Sequence, residues 1–424
     1  MSMSRSGVAA FLAALGVLGG VTAANAAAGG LDQTFGSGGI VTTAYNGPFP
    51  AAAALQPDGR IVVIAGFDND PAATEAFGVL RYQANGTPDG SFGAGGRTTA
   101  AFTNFINSPD DLALQSDGKI VVVGSAQSAD GTVSEFAVAR FNANGTLDGS
   151  FGTGGKVSTN FVGVMGGGVS NPADSVLIQR DGKILVGGLA SACARRCPAQ
   201  SALARYNANG SLDTTFGSGG KVAVTAIGGI TALAEDAAGD IFALNGASTA
   251  EFSAAGALQP QVTPAPITVA SSRGTSSVFQ ADGRYLAFTG GAGFSRHDID
   301  AEVVRYLPTG AVDPGFTSTP FDFSAENTVA SDAVQALAVQ PNGQIIAAGL
   351  HSANGSTSFT VARLNSSGSL DTTFGTGGTL TASLPGGGQA TVALIQPDGK
   401  ILVIGQGFIP GGGVNLILAR YLAQ

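Results

Sequence analysis

The feature that most constrains the fold is a repeat that begins before residue 60 and continues to the end of the chain. One copy, residues 111–157, reads DLALQSDGKIVVVGSAQSADGTVSEFAVARFNANGTLDGSFGTGGKV. It holds four short apolar or β-branched runs, which are typical of strands. Asp117-Gly118 closes the first run and Asn144-Gly145 the third. Such pairs predict type I′ hairpin turns. Each copy is therefore predicted to form an antiparallel meander of four strands.

Two marks of the repeat can be followed along the chain. The first is the glycine of the first turn, which recurs as Gly59, Gly118, Gly182, Gly239, Gly283, Gly343 and Gly399. The second is the motif Leu-Asp-x-x-Phe-Gly, which begins at Leu31, Leu147, Leu212 and Leu370, is altered at Pro88 and Val312, and is lost near Leu258. Seven four-stranded units of about 57 residues each predict an all-β, seven-bladed β-propeller in one domain, residues 27–424.

The two ends of the repeat region predict that the ring is closed by strand pairing. The run Ile40–Thr43 follows Leu31-Asp32 and corresponds to a fourth strand, whereas the C-terminal run Leu416–Tyr421 corresponds to a third strand. The N-terminal strand is therefore expected to complete the last blade. The fourth unit is the irregular one, because Glu251 replaces the usual arginine and Pro260 interrupts the outer run.

Residues 1–26 are predicted to be a secretory signal peptide. Arg5 supplies the positive start, Val8–Val21 the apolar core, and Ala24-Asn25-Ala26 an A-x-A cleavage site. An uncleaved membrane anchor is the alternative, but the apolar run is short for a span. We therefore expect an exported monomer in the periplasm, at the cell surface or outside the cell. The net charge of −9 argues against a nucleic-acid partner, which requires a basic stripe.

Connections in a four-stranded meander alternate between the two faces of a propeller. The first-to-second and third-to-fourth turns, which are nearly the same in every copy, form what we call the constant face. The second-to-third loops and the links between blades differ in every copy, and we call their side the variable face. Variable loops on a rigid frame usually carry binding, so a ligand is expected there. Aromatic loop residues that would support binding are Phe67, Phe294, Phe321, Phe323 and Phe408.

The most conspicuous charged residues are an arginine and an aspartate that recur in nearly every unit. The arginines are Arg81, Arg140, Arg205, Arg305, Arg363 and Arg420, and the aspartates are Asp32, Asp89, Asp148, Asp213, Asp313 and Asp371. One interpretation makes them a ring of binding groups. The other pairs each arginine with a turn carbonyl or an aspartate at the end of a blade. We favour the structural interpretation, because a residue that recurs in nearly every blade is expected to serve packing, which every blade shares.

Few residues of the sequence are candidates for a disulfide or for metal coordination. Cys193 and Cys197 are the only cysteines, and in an exported chain they predict a disulfide rather than a redox pair or a zinc site. His297, Asp298, Asp300 and Glu302 form the most metal-like cluster, but one histidine without a calcium-loop motif indicates a solvated polar loop. No metal ion or cofactor is predicted.

Catalytic motifs are missing from the sequence, and its only histidines, His297 and His351, belong to different units. The prediction is a non-catalytic binding or scaffold propeller for an unknown surface glycan, peptide or protein, with no catalytic residue assigned. The alternative is a secreted lyase or hydrolase with carboxylates around the central channel, because loops distant in sequence meet there.

The runs Ala54–Val63, Ala204–Val222 and Ala393–Val403 carry a resemblance to a known family. Together they resemble the delta-60 repeat family, and the resemblance extends over nearly all of residues 29–424. It implies an exported bacterial propeller-like protein built from units of this length. The family has no agreed activity, so the resemblance implies no site residues.

Overall fold

The structure is a computed structural model, and it describes residues 28–45, 50–67, 75–102, 105–128, 132–161, 170–192, 198–260, 268–269, 277–288, 301–317, 320–323, 330–353, 356–382, 384, 386–408 and 413–423. Within these residues the chain forms 28 β-strands in seven antiparallel sheets. Each sheet is one blade, which confirms the seven-bladed propeller.

The blades follow one another along the chain. Blade one contains β2 (Ala52–Leu55), β3 (Ile61–Phe67), β4 (Ala76–Tyr82) and β5 (Arg97–Ala100). Blade two contains β6 (Phe105–Leu114), β7 (Ile120–Ser128), β8 (Ser134–Phe141) and β9 (Lys156–Thr159). Blade three contains β10 (Ala173–Ile178), β11 (Ile184–Ala190), β12 (Gln200–Tyr206) and β13 (Lys221–Val224). Blade four contains β14 (Ala232–Glu235), β15 (Ile241–Asn245), β16 (Ser248–Phe252), β17 (Leu258–Gln259) and β18 (Thr268–Val269).

The remaining three blades complete the ring. Blade five contains β19 (Ser277–Phe279), β20 (Tyr285–Phe288) and β21 (Val303–Tyr306). Blade six contains β22 (Ala330–Val339), β23 (Ile345–Ala353), β24 (Ser356–Leu364) and β25 (Thr379–Ala382). Blade seven contains β26 (Gly388–Ile395), β27 (Ile401–Phe408), β28 (Val414–Tyr421) and, on its outer side, β1 (Ile40–Tyr45).

The turn between the first two strands of each blade depends on its glycine. Gly59 has a φ of +83°, and the six equivalent glycines lie between +82° and +85°, a region that side chains rarely adopt. The predicted turn type is wrong, however. Gly59 N donates to Gln56 O, so Pro57 and Asp58 form the centre of the turn and the glycine follows them. Proline cannot take the positive φ of a type I′ turn, which leaves a type I turn followed by a left-handed glycine.

Strand pairing between the two chain ends closes the ring, as the sequence predicts. β1 pairs with β28 from Ile40↔Ala419 to Tyr45↔Val414. The ends themselves reproduce an ordinary third-to-fourth turn that has been cut open. Gly29 N donates to Leu422 O at 2.8 Å, as Gly145 N donates to Asn142 O at 2.8 Å inside blade two. Blade seven therefore has the same four-stranded arrangement as the regular blades, except that its third-to-fourth turn is not continuous along the chain.

Apolar side chains fill the interfaces between neighbouring blades. The described residues form seven buried clusters, and each cluster combines strands of two adjacent blades. The strands are buried on both faces for this reason; β3 and β4, for example, are buried at every residue. The cluster between blades four and five is the smallest: Ala232, Ala234, Phe242, Leu244, Phe279 and Tyr285.

Blades four and five are the irregular part of the ring. The outer strand β17 of blade four has only two residues, and β18 adds a short pairing on the inner side of β14. In blade five, the described part of the sheet has three strands, and the place of the fourth is held by an isolated bridge between Ala301 and Phe321. The irregular fourth unit predicted from the sequence is thus confirmed, and the irregularity extends into the fifth.

Candidate functional site

The repeated arginines and aspartates of the constant face form a latch in six blades. In each latch the arginine Nε lies 2.7–2.9 Å from the aspartate Oδ2. The guanidinium also lies 4.4–4.8 Å from the ring centre of the phenylalanine in the Leu-Asp-x-x-Phe motif or its variants. Both charged side chains are buried in blade two, where Arg140 is 5% and Asp148 6% exposed. This arrangement supports the structural interpretation of the two residue sets.

Each latch also ties its blade to the next one. Arg81 Nη1 donates to Ala143 O of blade two, and Arg140 Nη1 donates to Ala208 O of blade three. Arg420 Nη1 donates to Ala84 O at 2.7 Å and so connects blade seven to blade one. In blade four Glu251 stands at the arginine position. The seam between blades four and five therefore lacks this latch and has the smallest apolar cluster as well.

The latch aspartates are held in their ionised form. Burial alone would raise the pKa of each carboxyl group. Hydrogen bonds from the residue two positions later, together with the latch arginine, outweigh burial and place the pKa below its ordinary value. The pKa of Asp213 falls to about 2 in this way.

Acid is therefore expected to destabilise the propeller. A carboxyl whose folded-state pKa lies below its ordinary value of 3.8 contributes stability above that pH and loses it as the pH falls toward the folded-state pKa. For Asp213 the contribution is about 2 kcal/mol. We expect the thermal midpoint to fall steeply between about pH 4 and pH 2, and the decline to be shallower in Asp213→Asn. A midpoint that is unchanged down to pH 2 would contradict the prediction.

Three of the five aromatic loop residues that would support binding do not lie at the surface. Phe67, Phe321 and Phe323 are buried, with exposures of 6%, 4% and 1%. Phe67 lies against the Arg97 guanidinium at 5.1 Å, and Phe321 packs edge-on against Phe323 at 5.5 Å. Phe408 is half-buried, and Phe294 lies outside the described residues. The expectation fails for the three buried rings, because the link and strand ends carrying them fold onto the blades.

The variable face instead carries a cluster of two aspartates and a histidine at the seam between blades five and six. Asp322 lies in the link between the blades, Asp332 in β22 and His351 in β23. One ligand atom from each residue lies within 4.8 Å of the others. Asp332 is 3% and His351 8% exposed, whereas Asp322 is more exposed than either. Within the described residues, this is the group of histidine and carboxylate side chains close enough to share one metal ion.

The strands position this cluster through their register. Asp332 lies opposite His351 in the ladder, two residues before the bulge at Val334, and its Oδ1 lies 2.7 Å from His351 Nδ1. Its Oδ2 accepts a hydrogen bond from Phe323 N at 2.9 Å. Phe321 holds the same link by exchanging two backbone hydrogen bonds with Ala301. Asp322 is thereby placed between two anchored phenylalanines.

Other blades show what the Asp332 position does when no acid is present. Asn107 and Asn171 also lie two residues before the bulge of the first strand. The Asn107 side chain accepts from Phe102 N at 3.2 Å and donates to Glu75 O at 2.7 Å, and Asn171 donates to Ser134 O at 2.9 Å. An amide therefore suffices to tie the inter-blade link. The residue opposite Asn107 is Ala126, so the histidine is not part of this structural role either.

Burial and a neighbouring charge change the acidity of this cluster. Burial raises the pKa of Asp332 above its ordinary value, and the Asp322 carboxyl beside it raises that pKa further, although Phe323 N and His351 oppose both effects. Two carboxyl groups beside an imidazole can hold a divalent cation or move a proton. Asp322 and Asp332 are not among the residues predicted from the sequence; the available signal for Asp332 was an aspartate at a position where blades two and three have asparagine.

The remaining candidates from the sequence lie mainly outside the described residues. Cys193 and Cys197 do so, and their disulfide stays a prediction. His297, Asp298 and Asp300 do so as well, whereas Glu302 is described as a half-buried residue just before β21. No helix long and apolar enough to cross a membrane is present in the described part of the chain.

Comparison with known proteins finds a repeat family that parts of this chain match. Five stretches, residues 56–92, 115–151, 179–216, 340–374 and 396–424, match the family model described as "Domain of unknown function (DUF5122) beta-propeller". They fall on blades one, two, three, six and seven, and the irregular blades four and five lie outside them. A search of curated proteins gives no match.

Solved structures similar to this chain are diverse. A protein of unknown function from Dyadobacter fermentans is 12% identical, with 91% of this chain and 98% of that chain covered and a TM-score of 0.46. The PQQ-bound aldose sugar dehydrogenase from Streptomyces coelicolor is 14% identical, with 90% and 98% covered and a TM-score of 0.37. The β-propeller domain of the Trilobed protease from Pyrococcus furiosus is 10% identical, with 89% and 95% covered and a TM-score of 0.36. Nothing about function is carried over from them.

Proposed function

We propose, from the premise that this chain is a β-propeller repeat protein, that it is an exported binding protein. Residues 1–26 direct export, and the mature propeller recognises a glycan, peptide or protein of the cell surface. The ligand binds on the variable face, through the second-to-third loops and the links between blades. The repeated frame serves as a rigid support for those loops.

The difference between the two faces carries this proposal. On the constant face, the same arginine, aspartate and phenylalanine recur in six blades, and each set is occupied in joining neighbouring blades. On the variable face, equivalent positions of the described residues carry different polar groups: blade two has Asn107 opposite Ala126, and blade six has Asp332 opposite His351. Asp322, Asp332 and His351 occur together at a single seam. A surface that differs from blade to blade is the one suited to recognise a specific ligand.

The test is a binding comparison with two matched pairs of substitutions. Gln127→Lys and Ser356→Lys change exposed residues on the variable face, at the end of β7 and the start of β24. Ala94→Lys and Thr153→Lys make the same charge change at exposed residues of the third-to-fourth turns on the constant face. The mature protein would be applied to a glycan array and to immobilised cell-surface protein extract. We expect the first pair to weaken binding at least about tenfold and the second pair to leave it unchanged. Loss of binding only with the second pair would refute the proposal.

A second candidate function is a secreted lyase or hydrolase, and the same cluster is the observation that favours it. Asp322 and Asp332 with His351 provide paired carboxyl groups and an imidazole, the groups needed for general acid–base chemistry. Turnover of acidic or neutral polysaccharides that disappears in Asp332→Asn would favour the enzyme. Binding without turnover would favour the binding protein.

A further inference from the structure

We propose that Asp322, Asp332 and His351 form a binding site for a divalent transition-metal ion on the variable face, between blades five and six. The site provides one imidazole nitrogen and two carboxylate oxygens. Its three ligand atoms already lie within 4.8 Å of one another. Three ligands from protein leave at least one coordination position for water or an external group, as in zinc sites that bind a substrate.

The structural role of the Asp332 position does not require an acid or a histidine. Asn107 and Asn171 make the corresponding inter-blade hydrogen bonds with a neutral amide. Whereas Asn107 both accepts and donates a hydrogen bond, Asp332 only accepts one from Phe323 N. Its second oxygen contacts His351 instead. Joining the blades at this seam therefore does not require both Asp332 and His351.

The cluster holds more negative than positive ionisable groups. Two carboxyl groups face one imidazole, so with both of them ionised the cluster is negative even when His351 is protonated, and Asp332 is nearly completely buried. Among the described residues, the ion-pair partner of Asp332 is His351. Burying a carboxylate without a matching cation is costly. A divalent cation would neutralise both carboxylates and would be the largest local charge in the site.

The chemistry of the three ligand atoms favours one class of metal ion. Calcium and magnesium take oxygen ligands, whereas an imidazole nitrogen combined with carboxylates suits zinc and its first-row neighbours. Held by the register of β22 and β23, Asp332 and His351 provide the rigid half of the site, and Asp322, the more exposed residue in the link, provides the adjustable half. We therefore expect Zn²⁺ to bind more tightly than Mn²⁺, and Ca²⁺ not to compete.

The experiment uses the mature protein after removal of metal ions with EDTA, and Zn²⁺ alone as the probe. Isothermal titration is expected to show one Zn²⁺ per chain, and the thermal midpoint to rise with Zn²⁺. Asp332→Asn alone, and Asp332→Asn combined with His351→Ala, install residues found at the equivalent positions of blade two, Asn107 and Ala126, so both variants should melt like the parent in EDTA. Both should bind Zn²⁺ more than about tenfold more weakly.

A further substitution shows whether the bound Zn²⁺ occupies this cluster. His297→Ala removes the only other histidine and should leave Zn²⁺ binding unchanged. Parent protein that binds no Zn²⁺ at micromolar concentration, or Zn²⁺ binding that survives both Asp332→Asn and His351→Ala, would overturn the proposal. The readout is metal binding itself, so it can succeed or fail independently of any glycan or protein ligand.

Discussion

Replacing Arg140 with methionine is expected to lower the free energy of unfolding by about 3–5 kcal/mol, the usual cost of removing one partner of a buried ion pair. The substitution leaves the Asp148 carboxylate, which is 6% exposed, without its guanidinium. It also removes the hydrogen bond to Ala208 O and the stacking on Phe151 at 4.5 Å. Urea denaturation at pH 7, followed by circular dichroism, measures the effect.

Two further variants show whether the loss arises from the latch. Asp181→Asn breaks an ion pair with Lys183 in which the aspartate side chain is 53% exposed, and it should cost less than about 1 kcal/mol. The double variant Arg140→Met with Asp148→Leu removes both charges and should be less destabilised than the sum of the two single variants. If Arg140→Met costs no more than Asp181→Asn, the latch does not stabilise the ring.

Removing residues 28–45 from the mature protein is expected to destabilise it more than any single substitution. The deletion takes away β1 and with it the buried Phe35 and Val41, which pack against blades seven and one. It also removes Asp32, the partner of Arg420, and exposes the edge of β28. We expect the thermal midpoint to fall by more than about 10 °C and the shortened chain to associate through its open edge.

A circular permutant provides the matched control for this deletion. Joining Ala423 directly to Ala28 restores the spacing of an uncut turn, because Arg420 and Leu31 are then separated as Arg140 and Leu147 are. Opening the chain between Ala143 and Asn144 moves the cut to the same place in blade two. This permutant should melt within a few degrees of the parent. A large loss of stability would show that closure requires more than strand pairing.

The closed seven-bladed ring could be predicted from the sequence alone. The seven turn glycines, the Leu-Asp-x-x-Phe motif and the unmatched strands at the two ends were sufficient to predict seven blades closed by β1. The latches were predictable too, because Arg140 and Asp148 are only eight residues apart and recur with the same spacing. These signals are local, since hairpin turns and adjacent strands depend on residues that are close in sequence.

Which residues of the variable face lie together depends on the packing of the blades and could not be predicted from the sequence. Phe321 and Phe323 read as exposed loop residues, but pairing of the link with Ala301 buries both. The contact of Asp332 with His351 depends on the register across a bulge, and Asp322 joins them only through that same link. A one-residue shift in a strand reverses the direction of its side chains, so such contacts cannot be deduced from spacing. The candidate site therefore emerged from the packing of blade five against blade six.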